Sequence, residues 1–309
     1  MEKVKQMDIV KGMKVGDLVR EMSNAGVFGA GRIAKSARIF EEMVKDKDCK
    51  VFLGVAGAMV PGGMKNIIID MLESGHVDVF VTTGANLTHD LVEALGYSHY
   101  KGSANVSDAE LHKKNIDRIY ESYMPNEVYG KMEDFFKEIF DELAKEKSIK
   151  DFLWKLGEKL KAKNKKGNRS ILVSCYEKKI PLFCPALSDS GIGLMMWGNL
   201  AKGKSCQTGA FDDLKDMLSL AWDAKKAGVI YIGGGVPKNY IQQAMQFSKG
   251  ATYGIQITTD RPESGGSSGA ELREGISWGK MKEKGRFVEV ICDATIALPL
   301  IYAAVKDKI

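Results

Sequence analysis

Read as a string of apolar and polar positions, the chain changes period again and again. Compact apolar runs bounded by glycine or polar turns occur at "KVFLGVAG" (50–57), "VDVFVTTGA" (77–85), "SILVSCYEKK" (170–179), "IPLFCPALSD" (180–189), "AGVIYIGGG" (227–235), "ATYGIQITT" (251–259) and "RFVEVICDAT" (286–295). Each predicts a buried strand. Between them lie stretches of helical spacing at 62–75, 87–96 and 211–227. This alternation predicts an α/β protein built on a single Rossmann-like, doubly wound parallel sheet. Residues 126–168 break the rhythm, with helical periodicity throughout and no strand candidate, and predict a helical insertion. No polar linker and no internal repeat divides the chain, so one domain over 1–309 is expected.

Composition narrows the class. With 44% hydrophobic and 28% charged residues over 309 positions, the chain is an ordinary globular protein. Its net charge of +5 comes largely from runs such as "KLKAKNKKGNR" (159–169), which reads as a solvated helix end, so no nucleic-acid partner is expected. Five cysteines form no C-x-x-C pair, and Cys175 and Cys292 fall in strand-like apolar runs, pointing to reduced thiols in a cytoplasmic protein. The start "MEKVKQMDIVKGMK" lacks the apolar core of a signal peptide, and no run approaches a membrane span. Four histidines without metal-ligand spacing argue against a metal site, and the absence of G-x-S-x-G argues against a serine hydrolase.

Open parallel sheets gather ligands at the carboxyl ends of their strands. Here those ends are rich in glycine, hydroxyls and carboxylates: "TTGAN" (82–86), "SDSGIG" (188–193), "GGG" (233–235), "TTDRPESGGSSG" (258–269) and "DAT" (293–295). Together they suit a dinucleotide, because glycine lets amides approach phosphate and hydroxyls add donors. The G-x-G-x-x-G fingerprint is absent; "GVFGAGRIA" (26–34) has no strand before it and reads as a helix start. Asp293 reads equally as a ribose acceptor or a helix cap. In "ELREGISWGKM" (271–281), Lys280 reads either as a surface lysine at a turn or as an amine kept poor in water beside Trp278 and so able to act as a nucleophile.

Taken in order, "VFLG", "VDVFVTTGAN", "FCPALSD", "GGGVPK", "SGAELREGISWGK" and "CDATIALPL" resemble the deoxyhypusine synthase family over nearly the whole chain, with S-W-G-K its most specific element. The resemblance implies an NAD reaction in which a hydride leaves the carbon beside a secondary amine of spermidine. The lysine of S-W-G-K, here Lys280, then carries the aminobutyl group as an imine and yields it to a second amine. That acceptor is a lysine of a translation-factor precursor in the family proper, and putrescine in the related homospermidine synthases. By the same resemblance Trp278 and Glu274 fall beside the substrate, and the NAD positions are Thr82, Thr83, Asp189, Gly233, Gly234, Gly235, Thr259 and Asp293. It also implies a homotetramer with active sites at a dimer interface.

The chain departs from the family at the polyamine end. "TTGANLTHD" stands where the family reads "TTAGGVEED", which puts His89 at a substrate carboxylate. Leu194 and Ser267 replace two substrate aspartates, and Asn239 replaces a catalytic histidine. Ammonium groups need anionic partners to offset their desolvation. The pattern therefore resembles the deoxyhypusine synthase-like branch and implies small-molecule polyamine substrates, homospermidine formation foremost. His89, with an ordinary imidazole pKa near neutrality, is a candidate proton shuttle in place of Asn239.

Overall fold

The computed structural model describes residues 1–164 and 167–309; Lys165 and Lys166, which fall in the basic run and in the 126–168 segment, lie outside the described residues. The chain opens with α1 (Val15–Ala25), α2 (Phe28–Lys45), β1 (Cys49–Val55), α3 (Lys65–Glu73), β2 (Val79–Thr82) and α4 (Gly84–Ala94). It continues with β3 (Tyr100–Lys101), α5 (Asp108–Lys113), β4 (Ile116–Ile119), β5 (Ser122–Pro125), α6 (Val128–Leu143), α7 (Ile149–Lys163) and α8 (Ile171–Lys178). The last elements are β6 (Leu182–Phe183), α9 (Gly191–Leu200), α10 (Phe211–Trp222), β7 (Lys226–Ile232), α11 (Gly235–Gln246), β8 (Ala251–Thr258), β9 (Met281–Ile291) and α12 (Ala294–Lys306). Two compact units emerge: Met1–Ala56, His76–Val81 and Lys215–Ile309 form the first, Gly57–Gly75 and Thr82–Leu214 the second.

The first unit carries the parallel sheet in the order β2-β1-β7-β8-β9, as the apolar runs predict. Val51 pairs with Gly228 and Gly54 with Tyr231. Because side chains alternate along a strand, Gly54 and Gly228 look to opposite faces. The packing agrees: a Cβ on Gly228 would stand 3.0 Å from Met43 of α2, and one on Gly54 3.1 Å from Ile241 of α11. Helices therefore cover both faces, the doubly wound arrangement expected. All four of the strands β1, β7, β8 and β9 end at one edge, so Ala56, Gly233, Thr259 and Cys292 follow them there.

In the second unit, the apolar stripe of α6 (Phe135, Phe136, Ile139, Phe140, Leu143) is buried with Leu153, Leu156 and Leu160 of α7. Each such side chain contributes about 1.5–3 kcal/mol on leaving water. Helices α6 and α7 occupy the segment expected to be helical. Two strand expectations fail nearby. Residues 170–179 form α8, because Ser170 caps its amino end and buried Asp90 takes the N–H groups of Ile171 and Leu172. A short apolar run cannot by itself tell a buried strand from a buried helix. Of 180–189 only Leu182–Phe183 is extended. The small antiparallel sheet β3-β5-β4 was not foreseen; its strands are short and only partly buried, so they lack a clean alternation.

All five cysteines are free thiols. Cys175 is buried in α8, not in a strand, and burial pushes its thiol pKa up. Among the described residues no helix is long and apolar enough to cross a membrane, and no group of His, Cys, Asp and Glu is placed to hold a metal.

Candidate active site

Lys280 stands where a 3-10 helix (Leu272–Ile276) gives way to β9. The turn Ser277-Trp278-Gly279 joins them, with Gly279 at φ +69°, a left-handed conformation that glycine adopts without strain. The backbone of Lys280 is tied on both sides: its N–H donates to the Gly275 carbonyl at 2.8 Å, and its carbonyl accepts from Ala251 N–H at 3.0 Å. The side chain enters a cavity of about 300 Å³ lined by Lys238, Asn239, Gln242, Glu274, Trp278 and Lys280 among others. Lys280 Nζ lies 4.7 Å from the Trp278 ring centre, a cation–π contact.

Four residues that the family resemblance assigns to catalysis, Lys280, Trp278, Glu274 and Asn239, thus meet around one space, and Ser267 joins them. The expectation of a dry lysine is not met within the single chain. Trp278 is 56% exposed, Glu274 and Asn239 are exposed, and Lys280 is half-buried. The reason is local: the turn carries the indole outward from the end of the 3-10 helix.

The dry lysine of this cavity is Lys238, which sequence reasoning passed over. It sits in the first turns of α11, 4% exposed, and Nζ donates to Gln256 Oε1 at 2.9 Å and to the Ala270 carbonyl at 2.6 Å. Burial lowers its pKa to about 8; the charges of Glu274 and Glu289 oppose the shift, and that of Lys280 adds to it. Gln256, fully buried in β8, also donates Nε2–H to the Ser268 carbonyl at 2.7 Å. The available signals were a lone glutamine inside the apolar run "YGIQITT" and a lysine just after "GGGVP".

The strand-end positions of the first unit fall on the edge predicted. Gly233 and Gly235 have φ +72° and +55°, and Gly234 caps α11 with no side-chain hydrogen bond, leaving first-turn amides open to an anion. Thr259 is exposed at the end of β8. Asp293, also exposed, caps α12 through its Oδ1, which accepts Thr295 N–H at 2.7 Å. Uncapped amides, an open glycine and exposed oxygen acceptors along one edge are a donor and acceptor set that fits a dinucleotide.

In the second unit, Thr82 is buried and Thr83 caps α4, accepting Asn86 N–H at 3.4 Å. Asn86 Oδ1 in turn accepts from Met59 and Val60 amides, fixing the 57–63 loop. Asp189 is exposed in the turn before α9. His89, on α4, hydrogen-bonds through Nδ1 to His99 Nε2 at 2.9 Å, and burial lowers its pKa to about 4, so the imidazole is neutral at neutral pH.

Comparison with known proteins agrees with this reading of the fold. The family model for deoxyhypusine synthase matches residues 17–305. "Probable deoxyhypusine synthase 1" of Methanosarcina acetivorans is 45% identical over 308 residues, 99% of this chain and 95% of that protein. Its namesake in Archaeoglobus fulgidus is 41% identical over 306 residues, covering 99% and 98%. A solved structure from Entamoeba histolytica, titled "a putative deoxyhypusine synthase", shares the fold with a TM-score of 0.66 at 20% identity, covering 99% of this chain and 97% of that one. This chain therefore belongs to the deoxyhypusine synthase family and is an enzyme of that family's kind, an NAD-dependent aminobutyl transferase.

Proposed function

We propose that this enzyme passes an aminobutyl group between small amines, with homospermidine the product, and that Lys280 is the residue that carries the group. The observation that carries this reading is Lys280 itself: an amine on a pinned backbone, projecting into a cavity. Attack by its lone pair on a substrate carbon–nitrogen double bond forms the new bond to Nζ and releases a diamine. Glu274 supplies a carboxylate for a substrate ammonium, and the Trp278 ring covers the alkyl segment. Lys238, neutral more readily than an ordinary lysine, is suited to take up a proton at Nζ within the same cavity.

NAD, when bound, accepts a hydride from the amine-bearing carbon and later returns it. The residues that would hold it, by the family resemblance, are Thr82, Thr83, Asp189, the Gly233–Gly235 turn, Thr259 and Asp293; within the first unit, the uncapped amino end of α11 suits its pyrophosphate. The apolar side chains Leu194, Trp197 and Leu200, exposed at spacings of three along α9, support burial against another copy of the chain; the homotetramer with active sites at a dimer interface is what the family resemblance implies.

A second reading, authentic deoxyhypusine synthase acting on a lysine of a translation-factor precursor, is favoured by the names of the relatives at 41–45% identity. Ser267 and Leu194 offer no charge to a polyamine, which bears on both readings alike, since both take spermidine as donor. Labelled spermidine with NAD, supplied once with putrescine and once with the precursor protein, separates the two. Label in homospermidine supports the first reading; label confined to the protein overturns it. Borohydride added during turnover is expected to fix label on the peptide containing Lys280 in either case.

A further inference from the structure

His89 is held by a chain of contacts that the aminobutyl-transfer reading does not use. Lys65 forms an ion pair with Glu93 Oε2. Glu93 Oε1 lies 2.8 Å from His99 Nδ1, and His99 Nε2 lies 2.9 Å from His89 Nδ1. The His99 side chain is 6% exposed, and the two imidazoles meet edge to face with ring centres 4.9 Å apart. Burial works against the Glu93 carboxylate, but the hydrogen bonds from His99 and Lys65 outweigh it and hold its pKa below the ordinary value.

Donor and acceptor roles then follow along the chain. An ionised carboxylate only accepts, so His99 Nδ1 carries the hydrogen and donates it to Glu93. The Nε2 of a neutral His99 is then a bare lone pair, and the hydrogen of the next contact must belong to His89 Nδ1. That leaves His89 Nε2 without a hydrogen, and it makes no hydrogen bond among the described residues. The neighbouring Asp90 does not compete for the ring, because its carboxylate is turned to Ser170, Ile171 and Leu172.

We propose that Glu93 and His99 are positioning residues that hold His89 as a neutral imidazole with its hydrogen on Nδ1, so that Nε2 offers a lone pair to an N–H donor of an amine bound beside α4. Such a site accepts an amine by hydrogen bond without contributing a formal charge, and it disfavours carboxylate or phosphate oxygens. The ligand half of this proposal rests on the transferase reading; the tautomer does not.

The test uses full-length protein with ¹⁵N-labelled histidine at pH 8, first without NAD or amine. His89 is expected to show a protonated Nδ1 and an Nε2 with the resonance of a bare ring nitrogen. His99→Leu is expected to let both tautomers appear, whereas His99→Gln keeps the wild-type pattern, because its amide oxygen accepts from His89 and its amide nitrogen donates to Glu93. A wild-type His89 protonated at Nε2, or a His99→Leu spectrum identical to wild type, overturns the proposal. Should His99→Leu fail to fold, the wild-type spectrum decides alone. Calorimetry with spermidine in the presence of NAD is the second readout: His99→Leu should weaken binding about tenfold and His99→Gln by less than about twofold. Equal weakening by both overturns the proposed role. Spermidine that does not bind wild-type protein of the expected tautomer overturns the transferase reading together with the ligand half, whereas the wrong tautomer overturns this proposal alone.

Discussion

Lys238 of the first unit and Asp90 of the second are both buried ionisable side chains, yet they are set in different surroundings. Asp90, with no exposure, accepts from Ser170 Oγ at 2.7 Å and from the amides of Ile171 and Leu172 at 2.9 and 3.0 Å. Its carboxylate completes the amino end of α8, although burial outweighs these bonds and raises its pKa. Lys238 finds only neutral carbonyl oxygens, in a cavity that already holds a second lysine. Both have only neutral partners and burial drives both toward the uncharged form, but the three donors of Asp90 belong to the helix end it completes, whereas Lys238 lines a cavity beside a second lysine. The contrast separates scaffold from candidate chemistry more sharply than burial does, since Lys280 and Trp278 are more exposed than either.

The comparison can be broken most severely at Lys280. Lys280→Arg is expected to lower steady-state transfer at least about a thousandfold and to abolish the borohydride-trapped adduct, with the melting temperature little changed. Next, Asp90→Ala should cost about 3 kcal/mol of stability in denaturant titration, because it strands three buried donors.

Lys238 offers a smaller effect with a definite sign. Its pKa falls from an ordinary 10.5 to about 8 in the fold, so the unfolded chain binds the proton more tightly. The resulting penalty is complete below pH 8 and disappears as pH rises toward 10.5. Stability of the wild type relative to Lys238→Met should therefore rise by about 2 kcal/mol between pH 7 and 9.5, read by denaturant titration at each pH. A flat difference would show that Lys238 is no poorer in water than a surface lysine. The smallest change is expected at Trp278: with the indole 56% exposed, Trp278→Ala should alter stability by less than about 0.5 kcal/mol while raising the KM for amine severalfold, as thermal melts and steady-state rates would show.

Much of this was legible in the sequence, and the exceptions have physical causes. The strands β1, β7 and β8 and the second half of β9 could be read because each is a mostly apolar run closed by glycine, threonine or aspartate, and those closing residues mark the edge proposed to take the ligand. The run at 171–175 misled because its helix is decided by Asp90, some eighty positions earlier, which no local pattern reveals. On spacing Asp293 reads equally as a cap or a ribose acceptor, and in the structure one of its oxygens caps α12. The Lys280 neighbourhood was legible through the family resemblance, but its wetness was misjudged: the Trp278 ring does lie beside the amine, yet the indole is itself largely exposed. Lys238 and the Glu93–His99–His89 chain were missed for a shared reason: each depends on partners brought together by folding, and a lysine or a histidine on a helix looks ordinary until its neighbours are known.

The double anchoring of the Lys280 main chain has one more implication. With its amide fixed to Gly275 and its carbonyl to Ala251, only the side-chain torsions of that residue are loose. On the proposed reading, cargo attached to the amine would swing like a crane arm on a fixed mast, over a radius set by four methylenes. Handing it from donor to acceptor would then require no movement of the main chain at that residue.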